Sequence, residues 1–255
     1  MADTVMELDN VSTVFSTGWG RNRRDLVAMD HVTFAVRAGE TVGLVGESGS
    51  GKSTTAAVAL GLREPTSGTV RFLGKPFEAG ARGRRARLGQ IQTVPQNPSW
   101  SLNPRLPVGL SVAEPLAALD RSTLGSHGAA VERMLRDVRL DPVLAGRYPH
   151  ELSGGQRQRI AIARALVTKP RFIVFDEAVS ALDVSVQAQI LNLIGDLQAE
   201  HGFGALFISH DLAAVRYLAD RIAVMRLGEI VELADTERFY ETPQHEYSRQ
   251  LLEAL

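Results

Sequence analysis

The stretch Gly46-Glu47-Ser48-Gly49-Ser50-Gly51-Lys52-Ser53-Thr54 constrains this chain more than any other. It follows the pattern G-x-x-x-x-G-K-[ST] of a phosphate-binding loop. The preceding residues, Thr41-Val42-Gly43-Leu44-Val45, are apolar and β-branched and predict a short strand. Thr54 to Leu60 predicts a helix, so the motif sits in the strand–loop–helix context that it needs. Glycines allow the backbone to approach an anion closely and to take positive φ. Successive N–H groups and the helix N-terminus then face the phosphates. Lys52 reaches the outer phosphates as a point charge, and the Ser53 hydroxyl is placed to ligate Mg²⁺. A glycine/serine turn with a solvated lysine is the plain alternative, and both flanks argue against it.

Bulk properties narrow the setting. The chain has 255 residues, is 44% hydrophobic and carries a net charge of −1. That length accommodates one large α/β domain or two small ones, and the near-neutral charge gives no overall basic field for nucleic acid. There are no cysteines, which excludes disulfides, thiolate zinc sites and cysteine-ligated clusters. No apolar run approaches the roughly 18 residues that span a bilayer. The first residues lack the basic-then-apolar order of a signal peptide, so a soluble cytoplasmic protein is the expectation.

Along the chain, residues 5–14 and 27–36 read as strands around a loop, Ser16 to Asp25, that carries three arginines. A further strand is expected over Thr69–Leu73, which makes the N-terminal portion mixed and largely antiparallel β. Arg82, Arg84, Arg85 and Arg87 lack interleaved aromatics, so a solvated helix face is favoured over a nucleic-acid patch. Residues 97–152 hold repeated prolines between helical stretches at Ser111–Leu119 and Ala129–Leu140, and read as an inserted helical segment. Strand and helix then alternate: Phe172–Phe175, Ser185–Glu200, Ala205–Ile208 and Asp211–Leu218. Strands follow at Ile222–Met225 and Ile230–Leu233, and two short helices finish the chain. This alternation predicts a largely parallel, covered sheet.

Phe172-Ile173-Val174-Phe175-Asp176-Glu177 is an apolar strand ending in two carboxylates. Ligands of parallel sheets gather at the carboxyl ends of the strands. Asp176 is therefore expected beside the phosphate loop near Mg²⁺, and Glu177 is a candidate acceptor for the proton of an attacking water. Leu152-Ser153-Gly154-Gly155-Gln156 precedes a helix containing Arg157, Arg159 and Arg164. Ser153 suits an N-cap, and the helix start is a second candidate anion site.

These motifs together resemble the nucleotide-binding domain of ATP-binding cassette (ABC) transporters, over nearly the whole chain. Gly46–Thr54 looks like Walker A, Phe172–Glu177 like Walker B, and Leu152–Gln156 like the family signature. Gln96 is similar to the Q-loop glutamine, Ser180-Ala181-Leu182-Asp183 to the D-loop, and His210 to the switch histidine. The resemblance implies an α/β P-loop NTPase core with a largely parallel sheet, an N-terminal antiparallel β subdomain and an inserted helical subdomain. As one domain over residues 1–255, the core would take 1–96 and 167–255 and the helical subdomain 97–166.

The resemblance also implies ATP and Mg²⁺ as cofactors. Gly46, Glu47, Ser48, Gly49, Ser50, Gly51, Lys52, Ser53 and Thr54 would bind the phosphates. Phe15 would stack on adenine, Ser53, Gln96 and Asp176 would hold Mg²⁺, and Glu177 and His210 would be catalytic. Ser153, Gly154, Gly155, Gln156 and the D-loop Asp183 would act on ATP held by a facing, identical or related, ATPase chain. Finer likeness, in Ser101-Leu102-Asn103-Pro104-Arg105, Val179–Ser185 and Thr242-Pro243-Gln244-His245-Glu246-Tyr247, is to the dipeptide/oligopeptide/nickel importer ATPases. This implies two membrane permease subunits, an extracytoplasmic solute-binding protein acting indirectly, no nucleic-acid partner, and a peripheral place on the cytoplasmic face of the cell membrane. The permease is expected to dock near Gln96 to Leu116, with Trp100 and Arg105 as candidate contacts.

Two departures stand out. The family usually has proline after the catalytic glutamate, where this chain has Ala178, so Glu177 should be pinned less firmly by local sterics. Many relatives carry a cysteine-bearing extension after the residues matching Tyr247–Leu255, and this sequence stops there, so an extension-dependent role is not expected. A soluble ABC ATPase acting on DNA or ribosomes, and a non-hydrolysing scaffold, are the alternatives. The first would need a long coiled coil, a second ATP domain or a basic surface, and the second is disfavoured by intact Glu177 and His210.

Overall fold

A computed structural model describes residues 3–17, 24–78, 80–98 and 101–253. The chain divides into two compact units, residues 1–86 with 204–255, and residues 87–203.

In the first unit, β1 (Thr4–Thr17) and β2 (Arg24–Arg37) form a long antiparallel pair. Both run past the boundaries expected from sequence. Inside the expected Ser16–Asp25 loop, Ser16 Oγ still donates to Asp25 Oδ1 at 2.6 Å, while residues 18–23 lie outside the described residues. With β4 (Ser67–Phe72) and the two-residue β5 (Lys75–Pro76) these strands make an antiparallel sheet in the order β2-β1-β4-β5. Alternation of buried Met6 and Leu8 with more exposed Glu7 and Asp9 sets one face inward, as a period of two requires.

The same unit holds β3 (Thr41–Val45), β8 (Gly204–Ile208), β9 (Arg221–Arg226) and β10 (Glu229–Asp235). β3 pairs in parallel with both β8 and β9, and β10 closes antiparallel on β9. Every residue of β3 and β8 is buried. That explains why both read as unbroken apolar runs. The helices are α1 (Lys52–Ala59), α2 (Gly80–Ala86), α7 (Leu212–Leu218), α8 (Thr236–Glu241) and α9 (Glu246–Glu253). Arg82, Arg84 and Arg85 stand exposed on α2, a solvated basic face as expected.

The second unit pairs β6 (Ile91–Val94) and β7 (Phe172–Asp176) in parallel, with Val94 opposite Phe175. Around them lie α3 (Val108–Asp120), α4 (Gly128–Asp137), α5 (Gly154–Leu166) and α6 (Val184–His201). Short 3₁₀ stretches at Leu124–His127, Pro142–Gly146 and Pro149–Glu151 fill the proline-rich segment. α3 keeps Pro115 in its interior and still runs the full segment between Pro107 and Arg121. The fold is thus α/β, with an antiparallel N-terminal sheet and parallel strand pairing flanked by helices.

Candidate functional site

The predicted residues fall into two groups, one in each unit. In the first unit, β3 delivers the chain into the Gly46–Gly51 loop, and Lys52 opens α1. Gly51 is the N-cap of that helix with φ 113°, a left-handed conformation that side chains disfavour. A Cβ there would lie 2.3 Å from the Ala28 carbonyl oxygen, so only glycine fits. Lys52 is 8% exposed, and its Nζ donates to the Gly46 and Glu47 carbonyl oxygens at 2.7 Å each. A buried ammonium needs partners, and this one takes them from the loop itself. Ser53 is exposed on the first turn of α1, and Thr55 Oγ1 donates to the Gly51 carbonyl at 3.1 Å, locking the turn.

His210 follows the buried strand β8, whose parallel register sets Ile208 against Leu44 of β3. It is exposed, while Asp211 beside it caps α7 by accepting N–H bonds from Ala213 and Ala214 at 2.9 and 3.2 Å. His210 therefore leaves the strand adjacent to the one that feeds the phosphate loop. Phe15 is half-buried, and the Arg63 guanidinium lies over its ring, 4.0 Å from the centroid. Sequence reasoning had no signal for that cover.

In the second unit, Gln96 leaves β6 and Asp176–Glu177 leave β7 at the same end of a parallel pair. Gln96 Nε2 donates to Glu177 Oε2 at 2.6 Å, an amide-to-carboxylate bond that joins two residues 81 positions apart. Glu177 has φ 48°, in the left-handed region, outside the extended range that a following proline would favour. Ala178 is thus more than a weaker constraint: it permits this conformation. The Ser180 N–H and hydroxyl hold the Glu177 carbonyl at 3.1 and 3.0 Å.

Ser153 is exposed and caps α5. Its Oγ accepts the Gln156 N–H at 3.2 Å while Gln156 Oε1 accepts the Ser153 N–H at 2.9 Å, a reciprocal capping box. At Gly155 a Cβ would meet Val186 of α6 at 2.7 Å, so the two helices approach closely there. Asp183, exposed, starts α6. A cavity of about 370 Å³ within this unit is lined by Gln96, Gly154, Arg157, Gln158, Ala178 and Leu182 among others. It joins three predicted motifs around one space. Trp100, named as a permease contact, lies outside the described residues.

A sequence model described as ABC transporter matches residues 29–180. The chain belongs to the ABC transporter family. Its ABC relatives include the oligopeptide transport ATP-binding protein AppF of Bacillus subtilis (strain 168), 44% identical over 99% of this chain and 78% of that protein. The probable peptide ABC transporter ATP-binding protein y4tS of Sinorhizobium fredii (strain NBRC 101917 / NGR234) is 46% identical over 100% of this chain and 73% of its own length. Among solved ABC structures, cbiO1 from Clostridium perfringens, part of the transporter complex cbiONQ, superposes with a TM-score of 0.81 at 25% identity, covering 94% of this chain and 92% of that one. The ATP-binding cassette MJ0796, a dimer in a post-hydrolysis state bound to ADP and Pi, gives 0.79 at 29% identity over 91% and 98%.

Proposed function

We propose that this chain is the ATP-binding and ATP-hydrolysing subunit of an ABC importer, powering uptake of di- or oligopeptides or a related small solute through membrane permease subunits. The observation that carries the reading is Lys52: a buried ammonium that donates to polar atoms of a glycine loop, at the start of a helix. Phosphate oxygens are better partners for it than peptide carbonyls, because they carry charge. The likeness, over 99–100% of this chain, to proteins named for oligopeptide and peptide transport supports the cargo class and favours transport over action on DNA or ribosomes.

In this reading the Gly46–Thr54 loop binds the ATP phosphates through the Lys52 ammonium and backbone N–H groups other than that of Glu47, which the Tyr247 hydroxyl holds. Ser53, Gln96 and Asp176 offer hydroxyl, amide and carboxylate oxygens, the hard donors that Mg²⁺ takes when nucleotide and water complete its shell. Among the described residues no cluster of three or more His, Asp or Glu could hold a metal. Mg²⁺ would neutralise charge on the outer phosphates. Glu177 accepts the proton of the attacking water, oriented by the Gln96 amide, and His210 contacts the terminal phosphate. Phe15 stacks on adenine with the ring face opposite Arg63. Ser153, Gly154, Gly155, Gln156 and Asp183 act on ATP bound by a second ATPase subunit.

The helical subdomain takes residues 97–166, the permeases dock near Gln96 to Leu116, and a solute-binding protein delivers cargo on the far side of the membrane. Among the described residues no helix is long and apolar enough to cross a membrane, and we place the subunit at the cytoplasmic face through its permeases.

The test is Glu177→Gln, which keeps size and removes the base. Phosphate release should fall at least about a hundredfold, with ATP binding kept and an ATP-dependent dimer appearing in light scattering. Turnover at the wild-type rate would contradict the assignment.

A further inference from the structure

The Thr242–Tyr247 motif has no part in the chemistry above, yet the structure ties it to the phosphate loop. Glu232 of β10 is 8% exposed, and its two carboxylate oxygens accept the N–H groups of Gln244 and His245 at 2.9 Å each. Burial alone would raise this carboxyl, but the Gln244 N–H, Ser248 and His245 together hold it below its ordinary value. His245 Nδ1 then accepts the Tyr247 N–H at 3.1 Å, fixing the first turn of α9. The segment is anchored before Tyr247 is reached.

Tyr247 is 2% exposed, and the Arg226 guanidinium lies 4.8 Å from its ring centroid. Its hydroxyl accepts the Glu47 N–H at 3.0 Å, across 200 positions of sequence. The Gly46 carbonyl, which belongs to the same peptide group as that N–H, accepts from Lys52 Nζ at 2.7 Å. One peptide is therefore held at both ends, by Tyr247 on its N–H and by Lys52 on its carbonyl. Bonds on the two ends of one amide polarise and strengthen each other.

We propose that Tyr247 is a positioning residue for the phosphate-binding loop, holding the Gly46–Glu47 peptide and through it the resting place of Lys52, and so setting the affinity for a nucleoside triphosphate. This rests on the ATP-binding reading above. A loop fixed before binding loses less conformational freedom when the phosphates arrive. Without the hydroxyl, the Gly46–Glu47 peptide loses the Tyr247 bond on its N–H and keeps the Lys52 bond on its carbonyl.

Tyr247→Phe tests this, since it keeps the ring beneath Arg226 and removes one oxygen. In calorimetry with a non-hydrolysable ATP analogue, the dissociation constant should rise about fivefold, as for loss of one hydrogen bond. The kcat at saturating ATP should stay within about twofold, because Tyr247 touches no reacting atom. Amide exchange on the nucleotide-free wild type supplies a readout independent of ATP: the Glu47 amide should exchange more slowly there than in Tyr247→Phe. Unchanged analogue affinity in the variant, a fall in kcat alone, or equal Glu47 exchange in the two proteins overturns the positioning role. If wild type binds no analogue, the ATP-binding reading fails, while Glu47 exchange still reports whether the contact exists.

Discussion

The chain contains two glycine-rich helix starts with a serine and a following cation, and they are built in opposite ways. At α1 the N-cap is Gly51, which offers no side-chain acceptor to the first turn, and the adjacent Lys52 is buried. At α5 the N-cap is Ser153, and Ser153 and Gln156 satisfy each other in a capping box while Ser153 stays exposed. Both helix ends carry the same partial positive charge. An end left without a side-chain cap, beside a buried ammonium, is organised to receive an anion into the fold. An end that caps itself is stable alone and presents its donors outward, as a surface for a ligand held elsewhere would require.

The largest effect that follows is at the uncapped end. Lys52→Ala removes the buried ammonium from the Gly46 and Glu47 carbonyls and from any bound phosphate. ATP affinity should fall about a hundredfold, measured by calorimetry, since charge-assisted bonds contribute about 1.5–3 kcal/mol each. Unaltered affinity would erase the distinction between the two helix starts. The smallest effect is at the self-capped end. Gln156→Ala removes half of the capping box and should cost about 0.5–1 kcal/mol of stability, read by denaturant titration. ATP affinity of the isolated chain should not change. A loss of affinity equal to that of Lys52→Ala would mean that both ends serve the same nucleotide in one chain.

Much of this contrast was legible in sequence, for local reasons. The apolar runs of β3, β7 and β8 announce strands buried on both faces, and the G-x-x-x-x-G-K-S spacing fixes the turn between β3 and α1. Ser153 before its helix suits an N-cap from sequence, and the structure adds Gln156 as the other half of a capping box. What sequence withheld is set by tertiary contact. Nothing local says that Tyr247 reaches Glu47, that Arg63 covers Phe15, or that Gln96 meets Glu177. The departure at Ala178 was visible, but its consequence, the left-handed backbone of Glu177, needed the structure. The 3₁₀ stretches at Pro142 and Pro149 were missed because proline at a first helical position reads equally well as a breaker.

The central claim is that the two helix starts serve one ATP from different chains, and mixing two defective chains tests it. Lys52→Ala and Ser153→Glu should each abolish ATPase activity alone. In a head-to-tail pair, a mixed dimer places both defects in one site and leaves the other intact. Random pairing should then restore about a quarter of the wild-type phosphate release, because half the dimers are mixed and each has one working site of two. A mixture as inactive as its components would contradict the claim.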